Sequence, residues 1–280
     1  MTPAPLFSAP TAQSLGDEHP EWSGWLALLR AVDEEARLPA WKEAVPRLDA
    51  SRVPRLAGAT LEIDRTTAER WVRRLFSVND GLGEAASHVD ALALMQAALE
   101  LDEASLSTLA GAAGAPAQAF GAVASLAALP WLQACARRLT PSAEADGGWC
   151  PLCGAWAALA EARGLDRERR LRCLRCGGDW RTEWLSCPFC RNDDYRRLAS
   201  LVAEGTGETR KVDACAECGG YVKTVTTLSA ADAPSLRLLD LATVDLDVAA
   251  IERGFARPDG LGHRLGVRVI ERPARRFWRR

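Results

Sequence analysis

Most residue patterns that identify enzymes are absent from this sequence. It has no phosphate-binding Walker A loop, no dinucleotide-binding glycine fingerprint after a strand and no nucleophile elbow. Its three histidines, His19, His88 and His263, are scattered, and none has a partner at the spacing of metal ligands. We interpret all three as surface or hydrogen-bonded core residues. These absences argue against an independent enzyme and favour a binding protein.

The sequence also lacks the features of exported and membrane-inserted chains. The segment from Met1 to Gly16 has neither a basic region nor an apolar core, so it does not resemble a signal peptide. No uninterrupted apolar run reaches the roughly 18–20 residues needed to cross a bilayer. The formal net charge of −2 gives no reason to expect nucleic acid as a partner. We therefore predict a cytoplasmic protein without membrane insertion.

Cysteine, in contrast, is abundant and regularly spaced. Eight of the nine cysteines form four Cys-x-x-Cys pairs, and two such pairs facing each other make a tetrahedral site of four sulfurs that suits zinc or iron. The sequence therefore predicts two four-cysteine metal sites, in which four thiolates leave no open position for substrate. The predicted ligands are Cys150, Cys153, Cys173, Cys176, Cys187, Cys190, Cys215 and Cys218.

The spacing between pairs indicates which of them share an ion. The gaps between consecutive pairs are 19, 10 and 24 residues. Gaps of roughly 15–25 residues leave space for strands that carry two facing turns, so we pair the first with the second and the third with the fourth. An interleaved arrangement stays open. Three pairs are followed by a glycine, which adopts positive φ without strain, whereas Arg191 follows the third.

Two other uses of cysteine fit less well. Disulfides would also consume eight cysteines, but the N-terminus is not secretory, and repeated Cys-x-x-Cys favours metal in a reducing compartment. A thioredoxin-like redox motif would occur once, within a βαβ unit that is absent here. Cys135 lies outside every pair in alanine-rich sequence, which is typical of a buried structural thiol.

Hydrophobic periodicity divides the chain into five parts. Residues 21–145 show helical spacing, and Asp64 or Thr66 is the expected cap of one helix. Small residues near the end of this region suggest closely packed helices. Short alternating segments between the cysteine pairs predict two small β modules, each too small to fold without its ion. The predicted class is α+β, and its parts are a flexible tail (1–20), an α-helical domain (21–145), a first metal module (146–186), a second metal module (187–228) and a C-terminal helix with a basic tail (229–280).

The order and spacing of these motifs resemble the FdhE family of formate dehydrogenase accessory proteins. The likeness extends over roughly residues 145–260 and includes a C-terminal segment as well as the four cysteine pairs. The segments that carry it are Cys150-Pro-Leu-Cys153-Gly154, Leu171-Arg-Cys173-Leu-Arg-Cys176 with Trp180, Cys187-Pro-Phe-Cys190, Cys215-Ala-Glu-Cys218-Gly-Gly-Tyr221-Val-Lys223, and Asp240 to Asp247 with Glu252-Arg-Gly-Phe255-Ala.

The resemblance implies a helical N-terminal domain followed by two rubredoxin-like metal modules. Iron is the metal usually linked to the rubredoxin comparison. It also implies a dedicated cytoplasmic chaperone that binds the molybdenum- or tungsten-containing catalytic subunit of formate dehydrogenase. The bound segment would include a twin-arginine signal peptide where one exists. A basic client peptide needs acidic partners. The candidates by residue type are Asp240, Asp245, Asp247 and Glu252.

Two alternative functions are left open by the sequence. A rubredoxin-type electron carrier would need iron near the surface and reversible reduction. A nucleic-acid-binding zinc ribbon would use the basic residues near the cysteine pairs, although acids are interleaved with them. These basic residues are Arg170, Arg172, Arg175, Arg191, Arg196 and Arg197.

Overall fold

The structure, a computed structural model, describes residues 9–47, 51–78, 81–138, 147–202 and 209–272. Parts of all five predicted segments lie outside these ranges. They are residues 1–8 of the tail, residues 48–50, 79–80 and 139–145 of the α-helical domain, residue 146 of the first metal module, residues 203–208 of the second, and residues 273–280 of the basic tail.

The described residues form ten α-helices and eight β-strands. The helices are α1 (Ala12–Glu18), α2 (Ser23–Glu35), α3 (Pro39–Glu43), α4 (Arg65–Ser77), α5 (Ala91–Glu100), α6 (Glu103–Ala112), α7 (Ala117–Ser125), α8 (Leu129–Arg138), α9 (Ala233–Leu241) and α10 (Val244–Ile251). The strands are β1 (Thr60–Ile63), β2 (Leu159–Arg163), β3 (Glu168–Arg172), β4 (Asp179–Arg181), β5 (Leu198–Val202), β6 (Arg210–Cys215), β7 (Tyr221–Thr227) and β8 (Arg268–Glu271).

The chain divides into two compact units. The helical unit combines Glu21–Arg138 with the segment that starts at Arg264, and it contains α2–α8 with β1 and β8. The cysteine unit combines the N-terminal segment up to Pro20 with Leu139–His263, and it contains the remaining elements. The predicted α+β class, with a helical N-terminal region, is confirmed.

The helices of the helical unit follow the apolar periodicity of the sequence. Asp64 caps α4, because its carboxylate accepts a hydrogen bond from the backbone N–H of Thr67 at 3.1 Å. Trp71 and Trp131 are fully buried, and their indole N–H groups donate to backbone carbonyls at 2.9 and 3.0 Å. Both rings are therefore buried without leaving their indole N–H groups unpaired.

One stretch of this unit has the length and hydropathy of a membrane span. Ala117–Arg138 covers 22 residues, and 72% of its most apolar window is buried inside the structure. Burial of this kind is typical of core helices, and α7 and α8 share the stretch with a 3₁₀ turn between them. The close helix packing expected at its glycines is not seen at Gly121, where an added Cβ would meet nothing within 4 Å.

The structure differs from the sequence prediction at both ends of the described chain. Residues predicted to belong to a flexible tail form α1, which begins with a capping box between Thr11 and Ser14. Four residues of the predicted basic tail form β8, which pairs in parallel with β1. Both segments have hydrogen-bond partners that composition does not reveal.

A single six-stranded sheet forms the centre of the cysteine unit. Its strand order is β4-β3-β2-β7-β6-β5, so each predicted module contributes three antiparallel strands. The modules meet where β2 and β7 pair in parallel, with Leu159 opposite Lys223. Gly148 approaches the third cysteine pair so closely that an added Cβ would lie 2.3 Å from the carbonyl oxygen of Pro188. The two modules thus share one sheet.

Two helices cover this sheet in place of the single C-terminal helix that was predicted. Leu239 of α9 packs on Leu159 and Val225, and Leu246 of α10 packs in a second cluster with Val212. Every residue of β7 is buried, and this layer covers those on the face that carries Val225.

Candidate metal centres

All four cysteine pairs have the same local backbone structure. The amide N–H four residues after the first cysteine donates back to the carbonyl of that cysteine, at 2.9 Å in each pair. The N–H of each first cysteine donates in turn to the carbonyl of the residue five positions later, at 2.7–3.0 Å. These bonds close a tight loop that holds both sulfurs of a pair on one side.

The residue that closes each loop has a positive φ. The angle is +68° at Gly154, +80° at Gly177 and +71° at Gly219, as expected from glycine at these positions. Arg191 occupies the same position in the third loop with φ of +63°. The departure from glycine therefore leaves the loop intact, and the strain falls on the backbone of Arg191.

The first cluster brings together Cys150, Cys153, Cys173 and Cys176, all buried. Cys150 Sγ lies 3.5 Å from Cys176 Sγ, and Cys153 Sγ lies 3.5 Å from Cys173 Sγ. The N–H of Gly178 donates to Cys176 Sγ at 3.3 Å. An added Cβ at Gly178 would lie 2.8 Å from Cys150 Sγ, so glycine allows this close approach.

The second cluster brings together Cys187, Cys190, Cys215 and Cys218. Cys187 Sγ lies 3.7 Å from Cys218 Sγ, and Cys190 Sγ lies 3.7 Å from Cys215 Sγ. Cys190 and Cys218 are exposed, unlike every cysteine of the first cluster. The two clusters therefore share their donor set and differ in access to solvent.

Both clusters fit a tetrahedral metal ion. Sulfurs bound at about 2.3 Å to one zinc ion lie about 3.8 Å apart in a regular tetrahedron, and the observed separations of 3.5 and 3.7 Å are close to that value. Burial raises the pKa of the Cys150 thiol and of the Cys187 thiol well above the ordinary value, so a cation is required to hold them as thiolates. Both clusters could therefore hold metal ions.

The grouping agrees with the gap lengths and excludes the interleaved arrangement. The first pair faces the second and the third faces the fourth, and all nine cysteines are free of disulfide bonds. Cys135 is buried outside both clusters. The ring of His263 lies 5.3 Å from that of Trp149, and its backbone N–H donates to Gly154 at 3.0 Å.

Two of the predicted client-binding acids form ion pairs inside the cysteine unit. Lys223 is completely buried, and its ammonium nitrogen lies 2.9 Å from Asp240 and 2.7 Å from Asp247. The guanidinium of Arg257 contacts the same carboxylates at 2.6 and 2.7 Å, and Tyr221 donates its hydroxyl to Asp247 at 2.7 Å. The acids hold α9 and α10 against the sheet through these contacts.

Burial and the charges around Lys223 and Arg257 shift the pKa values of Asp247 and Tyr221. Burial alone would raise the pKa of Asp247, but the charges of Lys223 and Arg257 outweigh it and hold that pKa below its ordinary value. Burial and the bond to Asp247 raise the pKa of Tyr221 to about 12. Asp247 is therefore ionised at neutral pH and Tyr221 is not.

The other two predicted acids are more accessible. Asp245 is half exposed and pairs with Arg210 at 2.9 Å, and Glu252 is exposed just after the end of α10. Client binding by the four acids stays a prediction. In the structure, Asp240 and Asp247 are paired inside the cysteine unit, whereas Asp245 and Glu252 are accessible.

An apolar surface beside the second cluster was not foreseen from the sequence. A cavity of about 230 Å³ is lined by Trp184, Leu185, Phe189 and Tyr195 together with Cys187. The exposed fraction is 39% for Trp184, 73% for Leu185 and 68% for Tyr195. The indole N–H of Trp184 donates to the carbonyl of Arg167 at 3.1 Å, which fixes the ring at the surface. The sequence signal that could have indicated this surface is the aromatic and apolar pair Trp184-Leu185 just before the third cysteine pair.

The cations beside Trp184 contribute to this surface. Arg169 and Lys211 lie 5.5 and 5.2 Å from the centre of its ring, within the range of cation–π contact. Arg169 is buried, and its guanidinium donates to the carbonyls of Glu183 and Ser186 at 2.8 and 3.2 Å. Arg169 therefore helps to hold the loop that carries Trp184 and Leu185.

Known proteins resemble the chain in sequence and in fold. It is 38% identical to a protein named FdhE homolog from Stutzerimonas stutzeri over 115 residues, which are 40% of this chain and 37% of that protein. It is 28% identical to a protein of the same name from Haemophilus influenzae over 137 residues, or 46% of this chain and 43% of that one. The matches thus span less than half the length of these relatives. No protein-family model matches the chain.

The fold has a counterpart among solved structures. The crystal structure of the FdhE protein from Pseudomonas aeruginosa matches with a TM-score of 0.52 and 20% identity, over 90% of this chain and 96% of that one. At this identity the likeness concerns the fold alone. The named relatives confirm the resemblance to the FdhE family that the cysteine pairs indicated, and the fold agrees with it.

Proposed function

We propose that the chain is an accessory protein of formate dehydrogenase, a dedicated chaperone that binds the catalytic subunit in the cytoplasm before export or assembly. The likeness to relatives named FdhE homolog supports a role linked to that enzyme. The observation that carries client binding is the apolar surface formed by Trp184, Leu185 and Tyr195 beside the second cluster. Exposed aromatic side chains grouped around a cavity are typical of protein-binding sites.

The metal ions have a structural role in this proposal. Four thiolates complete a tetrahedral site, so an ion there stabilises the loops and offers no position to a substrate. The second cluster includes Cys187, which also lines the apolar cavity. Loss of that ion would release the loop that carries Trp184 and Leu185. Iron and zinc both satisfy the donor set.

The accessible acids provide a second contact for a basic client segment. Asp245 and Glu252 are exposed on or beside α10, whereas Asp240 and Asp247 are already paired with Lys223 and Arg257. A basic peptide, including a twin-arginine signal peptide where one exists, would meet the accessible pair first. Binding to the paired acids would require displacement of Arg257.

Co-purification with the catalytic subunit of formate dehydrogenase tests the proposal. We expect the wild-type chain to retain the subunit, and we expect Trp184→Ala and Leu185→Asp to weaken that retention. Leu228→Asp is the matched control, because Leu228 is also an exposed apolar residue of this unit, 61% accessible, but does not line the cavity. Cys187→Ser shows whether the second cluster supports the surface.

The outcomes separate the parts of the proposal. Absence of a complex with both the immature and the mature subunit would contradict the chaperone function. A complex that is equally weakened by Leu228→Asp would contradict the assigned surface. Reversal of charge at Asp245 and Glu252 without any effect on affinity would remove the acids from the interface.

The exposure of the second cluster favours one alternative function. An electron carrier needs a metal near the surface, and the sulfurs of Cys190 and Cys218 belong to exposed residues. Reversible reduction of bound iron, in a chain that binds no formate dehydrogenase subunit, would support this alternative. A colourless, zinc-loaded protein from metal-replete cells would exclude it.

The structure weakens the nucleic-acid alternative. Arg170 pairs with Asp179 at 2.6 Å, and Arg172 pairs with the buried Glu161 at 2.6 Å. Arg197 lies 3.7 Å from Glu217. Three of the basic residues that supported a zinc ribbon are thus neutralised by acids. Retention on a nucleic-acid column with a steep salt dependence would restore that alternative.

A further inference from the structure

The helical unit contains an arginine-lined cavity that the metal centres and the apolar surface do not explain. Its volume is about 730 Å³, and its wall is formed by residues of 43–47 and 52–62 together with Arg272, the residue after β8. Four arginines and two glutamates line it. They are Arg47, Arg52, Arg55, Arg272, Glu43 and Glu62.

The charge of this cavity contrasts with that of the chain. Its lining carries a net charge of two positive units, although the formal charge of the chain is −2. Arg47 and Arg55 form no ion pair with any acid in the described part of the chain. Their charges are therefore not balanced by neighbouring carboxylates of the described residues.

The two other arginines are held in position. The backbone N–H of Arg272 donates to Ile63 at 2.8 Å, and its guanidinium donates to the carbonyl of Glu62 at 3.2 Å and lies 3.6 Å from Glu43. The guanidinium of Arg52 donates to the carbonyl of Ala57 at 3.0 Å. A guanidinium has five N–H donors, so Arg272 keeps donors for a ligand besides those directed at Glu62 and Glu43. Fixed donors lose less conformational entropy when a ligand binds.

We propose that this cavity binds a small molecule that carries a diphosphate or longer phosphate chain. The planar guanidinium of arginine matches the oxygens of phosphate in bidentate geometry, and several guanidiniums around one cavity suit an anion of multiple charge. The volume lies within the range of about 300–1,000 Å³ that is common for small-molecule sites. It exceeds the space that a single phosphate needs, so the ligand has a body attached to its phosphates. Ala44 and Val45 are among the apolar residues that line the remaining wall.

Calorimetric titration of the full-length, metal-loaded protein tests this site. The probes are inorganic phosphate, pyrophosphate and ADP, each at two salt concentrations. We expect pyrophosphate and ADP to bind, inorganic phosphate to bind more weakly, and Arg55→Gln to weaken pyrophosphate binding about tenfold. Arg73→Gln is the matched control, because Arg73 is an exposed arginine of the same unit that does not line the cavity.

Each result decides for or against the site. Absence of heat with both pyrophosphate and ADP overturns the proposal, as does equal weakening by Arg73→Gln. Tighter binding of single-stranded RNA or of anionic phospholipid vesicles, with the same dependence on Arg55, assigns the arginines to a macromolecular surface and also overturns it. The circular dichroism spectrum of Arg55→Gln should match that of the wild type, and Arg47→Gln repeats the test independently.

Discussion

The backbone N–H of Arg191 donates to the carbonyl of Cys187 at 2.9 Å, the same bond that a glycine makes in each of the other three cysteine loops. Arg191 therefore adopts a φ of +63°, which is unfavourable for a residue with a Cβ. The loop keeps its shape at the cost of local strain, because the two ligands of the loop must face one ion.

We predict that Arg191→Gly stabilises the cysteine unit by about 1 kcal/mol, since removal of the strain outweighs the added entropy of the unfolded chain. Urea unfolding of the metal-loaded protein measures the change. Gly219→Ala is the converse variant. Its added Cβ meets nothing within 4 Å, so only the φ of +71° is unfavourable, and the variant should destabilise the unit by a similar amount. A stability of Arg191→Gly equal to or below that of the wild type would contradict the strain.

The different exposure of the two clusters predicts two rates of metal loss. With excess chelator and a colorimetric indicator, we expect one ion to leave about tenfold faster than the other, which corresponds to a barrier lower by about 1.4 kcal/mol. Cys218→Ser should remove the fast phase, because Cys218 is an exposed ligand of the second cluster. Cys135→Ala should leave both phases unchanged. Loss of the slow phase in Cys218→Ser would reverse the assignment.

The cysteine clusters could be predicted because their information is local. The two ligands of a pair are three residues apart, and the gap between pairs limits which of them can meet. Helix α4 was predicted with its cap for the same reason, as Asp64 precedes an amphipathic run. Patterns of this kind need no knowledge of distant contacts.

Features assembled from distant segments were missed. Strand β8 has four residues and pairs with β1 from the other end of the chain, so neither strand has a periodic signal of its own. The arginine cavity combines Arg272 with residues of 43–47 and 52–62. The roles of Asp240 and Asp247 likewise depend on Lys223, a buried cation that a strand pattern does not reveal.

Two side chains of α5 form hydrogen bonds with the backbone of β8 and of the residues just before it. Gln96 donates to the carbonyl of Val267 at 2.6 Å and accepts from the N–H of Val269 at 2.8 Å. Glu100 accepts from the N–H groups of Leu265 and Val267 at 3.3 and 3.0 Å. These side chains therefore act as a neighbouring strand would.

Glu100→Ala should destabilise the helical unit by about 2 kcal/mol, because Leu265 and Val267 are buried and their N–H groups would lose their acceptor. Faster hydrogen exchange of the Val267 amide in Glu100→Ala would show that the destabilisation arises at this segment. Glu69→Ala is the control, as its exposed carboxylate lies 4.0 Å from Arg65 and contributes little. Unchanged exchange at Val267 in Glu100→Ala would contradict the role of this side chain.

The ion pairs around Lys223 predict a pH-dependent contribution from Asp247. Its pKa in the folded protein lies below that in the unfolded chain, which is about 3.9. The stabilisation is therefore fully present above the unfolded value and is lost as the pH falls through the folded value. We expect Asp247→Asn to lower the free energy of unfolding by about 2 kcal/mol at pH 7, since Lys223 stays buried with one carboxylate fewer.

The difference in unfolding free energy between wild type and Asp247→Asn should shrink as the pH falls below about 4. Both proteins keep the same eight cysteines, so contributions from the metal sites cancel in this difference. Asp245→Asn serves as control, because Asp245 pairs with Arg210 at the surface and should change stability by less than about 1 kcal/mol at either pH. A difference between wild type and Asp247→Asn that stays constant from pH 7 to pH 3 would show that the carboxylate does not stabilise the fold through its charge.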